Sequence, residues 1–173
     1  GTPAPGASGV RFGASGVHGL GVFAARACRR GEVLEVCPCL RLPAASAARG
    51  ADALGEGEVD LRDYLFAPPA GAPGAAGGQA LLLPLGCGMA YNHGGEGANA
   101  SYEVSCEGAP EGLPPALPVL IVRAARALRA GEEVLLDYGS DWWHDRGWSP
   151  LAGGSRVAVG RRLGLLARPV AQS

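Results

Sequence analysis

Three short segments hold the residue types from which a reaction centre is built. The first, Gly19-Leu20-Gly21-Val22-Phe23-Ala24, fits G-x-G-x-x-A, the spacing of a dinucleotide-binding turn. The second is Tyr91-Asn92-His93, followed by glycines and then Asn99. The third, Gly131-Glu132-Glu133-Val134-Leu135-Leu136-Asp137-Tyr138-Gly139, is a turn, an apolar run and an abrupt polar end. Taken singly, each has an ordinary explanation: a hairpin turn, a satisfied structural histidine, a core tyrosine whose hydroxyl meets a backbone group. A dinucleotide site also needs a helix after the turn and an acid about 20 residues on. Arg29-Arg30-Gly31 arrives instead, and Leu40-Arg41 stand where the acid would be. Gly19 and Gly21 therefore mark a tight turn or a close backbone approach.

Other chemistries are constrained by composition. All 15 basic residues are Arg, and the chain has no Lys. That excludes a phosphate-binding P-loop, a Schiff-base lysine and a Ser–Lys pair. The five cysteines (28, 37, 39, 87 and 106) are odd in number and lack a disulfide framework, so reduced thiols in an intracellular protein are expected. A Cys87–His93 nucleophile pair is an alternative, although nothing near Cys87 marks an activated thiolate. Cys37 and Cys39 would share one face of a strand, but no second Cys/His pair has structural-zinc spacing. No metal is expected.

The elements that must position these segments are short. Of 173 residues, 29 are Gly and 14 Pro, but 47% are hydrophobic, 18% are charged and the net charge is −1. Such a chain folds rather than stays disordered, and its length suits one domain. Its near-neutral balance speaks against direct nucleic-acid or anionic-membrane binding, and no apolar run approaches the roughly 18 residues of a membrane span. Gly1 to Gly9 is neither basic nor apolar enough for a signal peptide. Strand signals run through Val10-Phe12, Val17-Ala24, Val33-Leu42, Asp63-Phe66, Ala80-Leu85, Ser101-Cys106, Val119-Val122 and Val134-Leu136. Ala124-Ala130 reads as two helical turns at most, stopped by Gly131. Residues 43 to 60 read as a short helix or loop, and residues 67 to 79 as a Pro/Gly/Ala loop. No internal repeat stands out. The expectation is a mainly β fold with few short helices.

In order, GLGVFA with Arg30-Gly31-Glu32 soon after, then Tyr91-Asn92-His93, then GEEVLLDYG, resemble the SET-domain family of protein lysine methyltransferases, especially its small stand-alone members. The resemblance spans about residues 9 to 148. It implies several small curved β-sheets around a C-terminal pseudoknot, in a single domain over 1–173 with a variable insert at about 43–80 and a tail at about 140–173. It implies S-adenosylmethionine (SAM) as cofactor, S-adenosylhomocysteine as product, and a lysine-bearing protein or peptide as partner, a histone tail among the candidates. The compartment it implies is intracellular, the nucleus first. Its alternative is a catalytically inactive SET-fold module that binds SAM or peptide.

Carried over by residue, Leu20 and Gly21 match positions whose backbone meets the methionine end of SAM. Asn92 and His93 match the pair that holds the cofactor's amino-acid end and adenine, and Tyr138 matches the tyrosine beside the transferred methyl. Tyr91, Leu136 and Trp143 are expected at the substrate channel. Trp142 and Trp148 also fall where relatives close that channel or cover the adenine. The sequence departs from many relatives at Gly94 (for Ser) and Ala98 (for Pro), with one extra residue before Asn99, so the role of Asn99 stays open. Leu136 lacks a hydroxyl where one often limits methylation, which implies more than one methyl. The cysteine-rich zinc motif found after the tyrosine in some relatives is absent.

Overall fold

A computed structural model describes residues 9–43, 61–68, 80–106, 117–144, 148–150 and 156–158. Most of the expected insert and much of the tail lie outside these residues. The apolar runs become strands because each finds a partner to pair with and a core to cover at least part of it. Val10–Ala14 (β1) and Leu20–Ala24 (β2) form an antiparallel hairpin with Gly13 opposite Gly21. Its turn closes with the Ser15 N–H donating to the Gly19 carbonyl at 2.9 Å.

Val33–Pro43 (β3), Ala80–Pro84 (β4), Ala100–Ser105 (β6) and Val119–Ala124 (β7) make a four-stranded antiparallel sheet in the order β4-β3-β7-β6. The first half of β3 is covered on both sides, as its continuous apolar run requires, whereas Leu40 near its end is exposed. Leu34, Leu82, Leu120 and Val122 are fully buried and join Val22, Val134 and Leu136 in one core. Truncating any of the four leucines among them to Ala would remove about 2–5 kcal/mol of stability.

The strand signal at Asp63-Phe66 gives way to a short 3-10 helix, Leu61–Tyr64, with Phe66 alone bridging to Leu82. A strand needs a partner along its length, and only one residue here has one. Leu135–Leu136 (β8) runs parallel to Asn92–His93 (β5), a pairing between segments more than 40 residues apart. On its other side the Val134 N–H donates to the Val22 carbonyl at 2.7 Å. The late segment is thus inserted between the first hairpin and the Asn-His segment. A five-residue helix, Ser140–His144, follows directly, and Trp148–Pro150 (β9) pairs with Arg156–Ala158 (β10). Among the described residues no helix is long and apolar enough to cross a membrane.

Two sequence expectations fail together. Ala124-Ala130 is not helical, and the chain does contain an internal repeat. Residues 24–32 and 124–132 are identical at seven of nine positions, the exceptions being Cys28/Leu128 and Arg30/Ala130. Both fold into the same turn, and the two turns bond each other around a pseudo-twofold axis. Cys28 and Leu128 exchange backbone hydrogen bonds at 3.0 and 2.9 Å. Gly31 N–H donates to the Ala124 carbonyl at 2.7 Å, and Gly131 N–H to the Ala24 carbonyl at 2.8 Å. Ala and Arg favour helix locally, but a helix would withdraw the N–H and C=O groups that each turn offers the other.

Candidate active site

The β1–β2 turn, β5 and the residue before Val134 converge on the Asn92 side chain, which is buried. Its Nδ2 has four oxygen neighbours, each at 3.1 Å: Ser15 Oγ, the His18 and Leu20 carbonyls, and Glu133 Oε1. An amide nitrogen carries only two hydrogens. The Ser15 hydroxyl is itself donated to Glu133 Oε1 at 2.6 Å. Ser15 Oγ also accepts the Val17 and His18 N–H groups at 2.9 and 3.1 Å. Yet the carbonyls and the Glu133 carboxylate offer more lone pairs than the two amide hydrogens and the hydroxyl can fill, and such a cluster suits a group that brings N–H donors and positive charge. Gly21 forms one wall: a Cβ there would collide with Glu133 Oε1 and stand 2.9 Å from Ser15 Cβ. Asn99, buried, clamps the same segment from behind. It donates to the Glu133 carbonyl at 2.8 Å and accepts the Leu135 N–H at 2.8 Å.

Tyr138 closes the other end. Its hydroxyl donates to the Tyr91 carbonyl in a short hydrogen bond. Its backbone N–H donates to His93 Nδ1 at 3.2 Å, which requires a lone pair on that nitrogen and hence a neutral ring. Burial pushes the His93 pKa below its ordinary value, against a smaller opposing effect of Asp137, so the ring stays neutral at pH 7. Four aromatic rings adjoin: His93 to Trp143 at 4.9 Å, Tyr138 to Trp142 at 4.7 Å, Trp142 to Trp143 at 4.8 Å, and Tyr138 stacked on Trp143 at 6.1 Å. Trp143 is buried and its indole Nε1 has no hydrogen-bond partner among the described residues. Trp142 is half-buried.

The structure brings Leu20, Gly21, Tyr91, Asn92, His93, Tyr138 and Trp143 into one neighbourhood. Leu136 reaches it only through its backbone pairing with His93, since its side chain is buried in the core. The Tyr91 side chain likewise points into the core while its carbonyl faces Tyr138. The side chain of Trp148 lies outside the described residues. Ser15 and Glu133 carry no role in the sequence reading, whereas Trp142 stands beside Tyr138 where the channel was expected. Glu133 stood inside a recognised motif, but nothing in one-dimensional order showed its carboxylate reaching Asn92. The Cys87 alternative is overturned: burial first, then the nearby Glu35 charge, push its thiol up to about 12, far from a reactive thiolate. Among the described residues no three His, Cys, Asp or Glu side chains gather as a metal site.

Small sheets closed by a strand inserted late in the chain, with an Asn-His pair beside an Asp-Tyr end, define the SET fold. The SET domain family model matches residues 19–139, more than two thirds of the chain, and this protein belongs to the SET-domain family. Among solved structures, a candidate histone methyltransferase of Plasmodium falciparum is 28% identical with a TM-score of 0.54, over 75% of this chain and 96% of that one. A chain of ctPRC2, solved in complex with H3K27me3 and H3K27M, shares the fold at 19% identity and a TM-score of 0.58, over 78% of this chain and 15% of that chain. No curated protein sequence matches.

Proposed function

We propose that this protein is a SAM-dependent lysine N-methyltransferase acting on a protein partner. One observation carries the reading. The Tyr138 hydroxyl and the Tyr91 carbonyl meet one residue from Asn92, whose surroundings hold more acceptors than donors. The acceptor-rich cluster fits the α-ammonium of SAM, with the Leu20 and His18 carbonyls, Asn92 and Glu133 as the groups that would hold it. When bound, SAM supplies a methyl activated by its sulfonium. The chain's own residues orient and desolvate. Tyr138 Oη and Tyr91 O are oxygens able to align an amine and a polarised methyl, a matter of position and electrostatics rather than covalent chemistry.

An incoming lysine has an ordinary pKa of about 10.4 and must lose its proton to act as a nucleophile. A site walled by Trp142, Tyr138 and Trp143 disfavours the ammonium through desolvation. Aromatic faces still attract a cationic head on its way in. Both tryptophans wall the amine channel beside Tyr138, Trp142 half-buried and Trp143 buried against His93. The 28% identical relative named as a candidate histone methyltransferase makes histones the first substrates to try. The test is transfer of labelled methyl from SAM to mixed histones and other proteins. Wild-type protein is expected to label them and Tyr138→Phe to lose about 100-fold in rate. An unchanged rate in Tyr138→Phe would contradict the role given to that hydroxyl.

A further inference from the structure

Behind Tyr91 lies a carboxylate that the proposed methyl transfer leaves without a task. Glu35, on β3, is only 8% exposed, and Leu34 and Cys37 beside it are fully buried. Its Oε1 accepts the Cys87 N–H at 2.9 Å and its Oε2 accepts the Tyr91 hydroxyl at 2.8 Å. Both donors are neutral, no cation pairs with Glu35 among the described residues, and such a buried carboxylate is a costly way to fill a core. The turn Gly86–Met89 is shaped around it. Gly86 has φ +72, and a Cβ there would stand 2.7 Å from Glu35 Oε1. Burial first, and then the Glu35 charge, push the Tyr91 hydroxyl pKa upward, so Tyr91 keeps its proton and remains the donor.

Tyr91 is therefore tied at both ends. Its hydroxyl is held by Glu35, its carbonyl accepts the Tyr138 hydroxyl, and the next residue is Asn92. We propose that Glu35 is a positioning residue for methyl transfer: by anchoring the Tyr91 side chain it fixes the carbonyl that aims the Tyr138 hydroxyl. This rests on the role proposed for Tyr138. Glu35 acts through Tyr91, whose hydroxyl it holds, and not on the reacting groups. A packing role alone would be served by an apolar side chain and would leave Tyr138 indifferent to the change.

The chain has four tyrosines, so tyrosine labelled with ¹³C at Cζ gives four signals, each assignable by a Phe substitution. Glu35→Gln keeps the volume and removes the charge. Tyr91→Phe keeps the ring and the carbonyl and removes the anchor. Both are expected to shift the Tyr138 signal while those of Tyr64 and Tyr102 hold still. Both should also lower kcat about tenfold with KM for SAM within twofold. A Tyr138 signal identical to wild type in both variants, with only the melting temperature lowered, would overturn the proposal. If Glu35→Gln fails to fold, Tyr91→Phe decides alone. Wild-type protein that transfers no methyl, with the Tyr138 signal still displaced in the variants, would remove the methyltransferase reading and uphold the link.

Discussion

Residues 24–32 and 124–132 are nearly one peptide written twice at an offset of 100, and they fold alike down to the side chains. Arg26 pairs with Glu32 at 2.5 Å and Arg126 with Glu132 at 2.6 Å. Glu32 and Glu132 each accept the N–H three residues back, from Arg29 and Arg129, at 2.9 Å. Leu34 and Val134, two residues past each glutamate, are both fully buried. The copies part at the position between. Val33 pairs with Arg123 and buries its side chain at the edge of the main sheet. Its counterpart Glu133 bridges Phe23 and sends a carboxylate to Ser15 and Asn92. A turn that is scaffold in the first copy delivers a charged group to the site in the second. The lesson is that a local motif sets backbone placement, and a single side chain beyond it decides whether that placement serves packing or chemistry.

The largest effect expected from this contrast is at that position. Glu133→Ala should weaken SAM binding about 10- to 100-fold, the worth of a hydrogen bond to a charged group, as read by titration calorimetry. Val33→Ala should leave SAM affinity within twofold and remove about 1–3 kcal/mol of stability. Equal loss of affinity in both would erase the distinction between the copies.

Next in size is the backbone they share. Gly31 and Gly131 both sit at φ +80, and an added Cβ at either meets nothing within 4 Å. Only conformational strain then opposes a side chain, so Gly31→Ala and Gly131→Ala should each cost about 1–2 kcal/mol in urea unfolding. A marked inequality between the two would break the pseudo-symmetry.

The smallest effect is in acid. Glu32 has its pKa lowered chiefly by the Arg29 backbone N–H, then by Arg26, whereas for Glu132 the Arg126 side chain is the leading cause. Both folded values lie below the ordinary 4.5, so this stabilisation is present above about pH 4.5 and fades as pH falls through the folded values. Arg126→Gln should therefore flatten the acid limb of the stability profile more than Arg26→Gln does. The two side chains are largely exposed, so the difference is a modest shift in the unfolding midpoint. The reverse order would misplace the dominant partner of one glutamate.

The strands were legible where apolar runs were long and bounded by Gly or Pro, as in Val33-Leu42 and Val119-Val122. The Asn-His and Asp-Tyr motifs marked the right neighbourhood, because their residues are few and their order is specific. The repeat was written in the sequence but split by 100 residues, and its second copy imitates a helix in Ala and Arg content. Only the bonds between the copies settle its conformation. Asp63-Phe66 misled for the same reason in reverse: strand-forming residues with almost no strand to pair with. Ser15 and Glu35 carried no signal, since a hydroxyl in a turn and one acid in an apolar strand acquire meaning only from what lies across from them. Trp142 and Trp143 stand side by side in sequence, and their different exposure comes from the short helix that turns one of them onto His93.

The most direct test of the central claim is tandem mass spectrometry of a protein mixture after incubation with this protein and methyl-labelled SAM. The chain contains no lysine, so any methyl-lysine found belongs to a partner and not to the protein itself. The prediction is label on lysine side chains of partner proteins, absent when Asn92→Ala replaces the wild type. Label confined to residues other than lysine, or lysine label undiminished in Asn92→Ala, would contradict it.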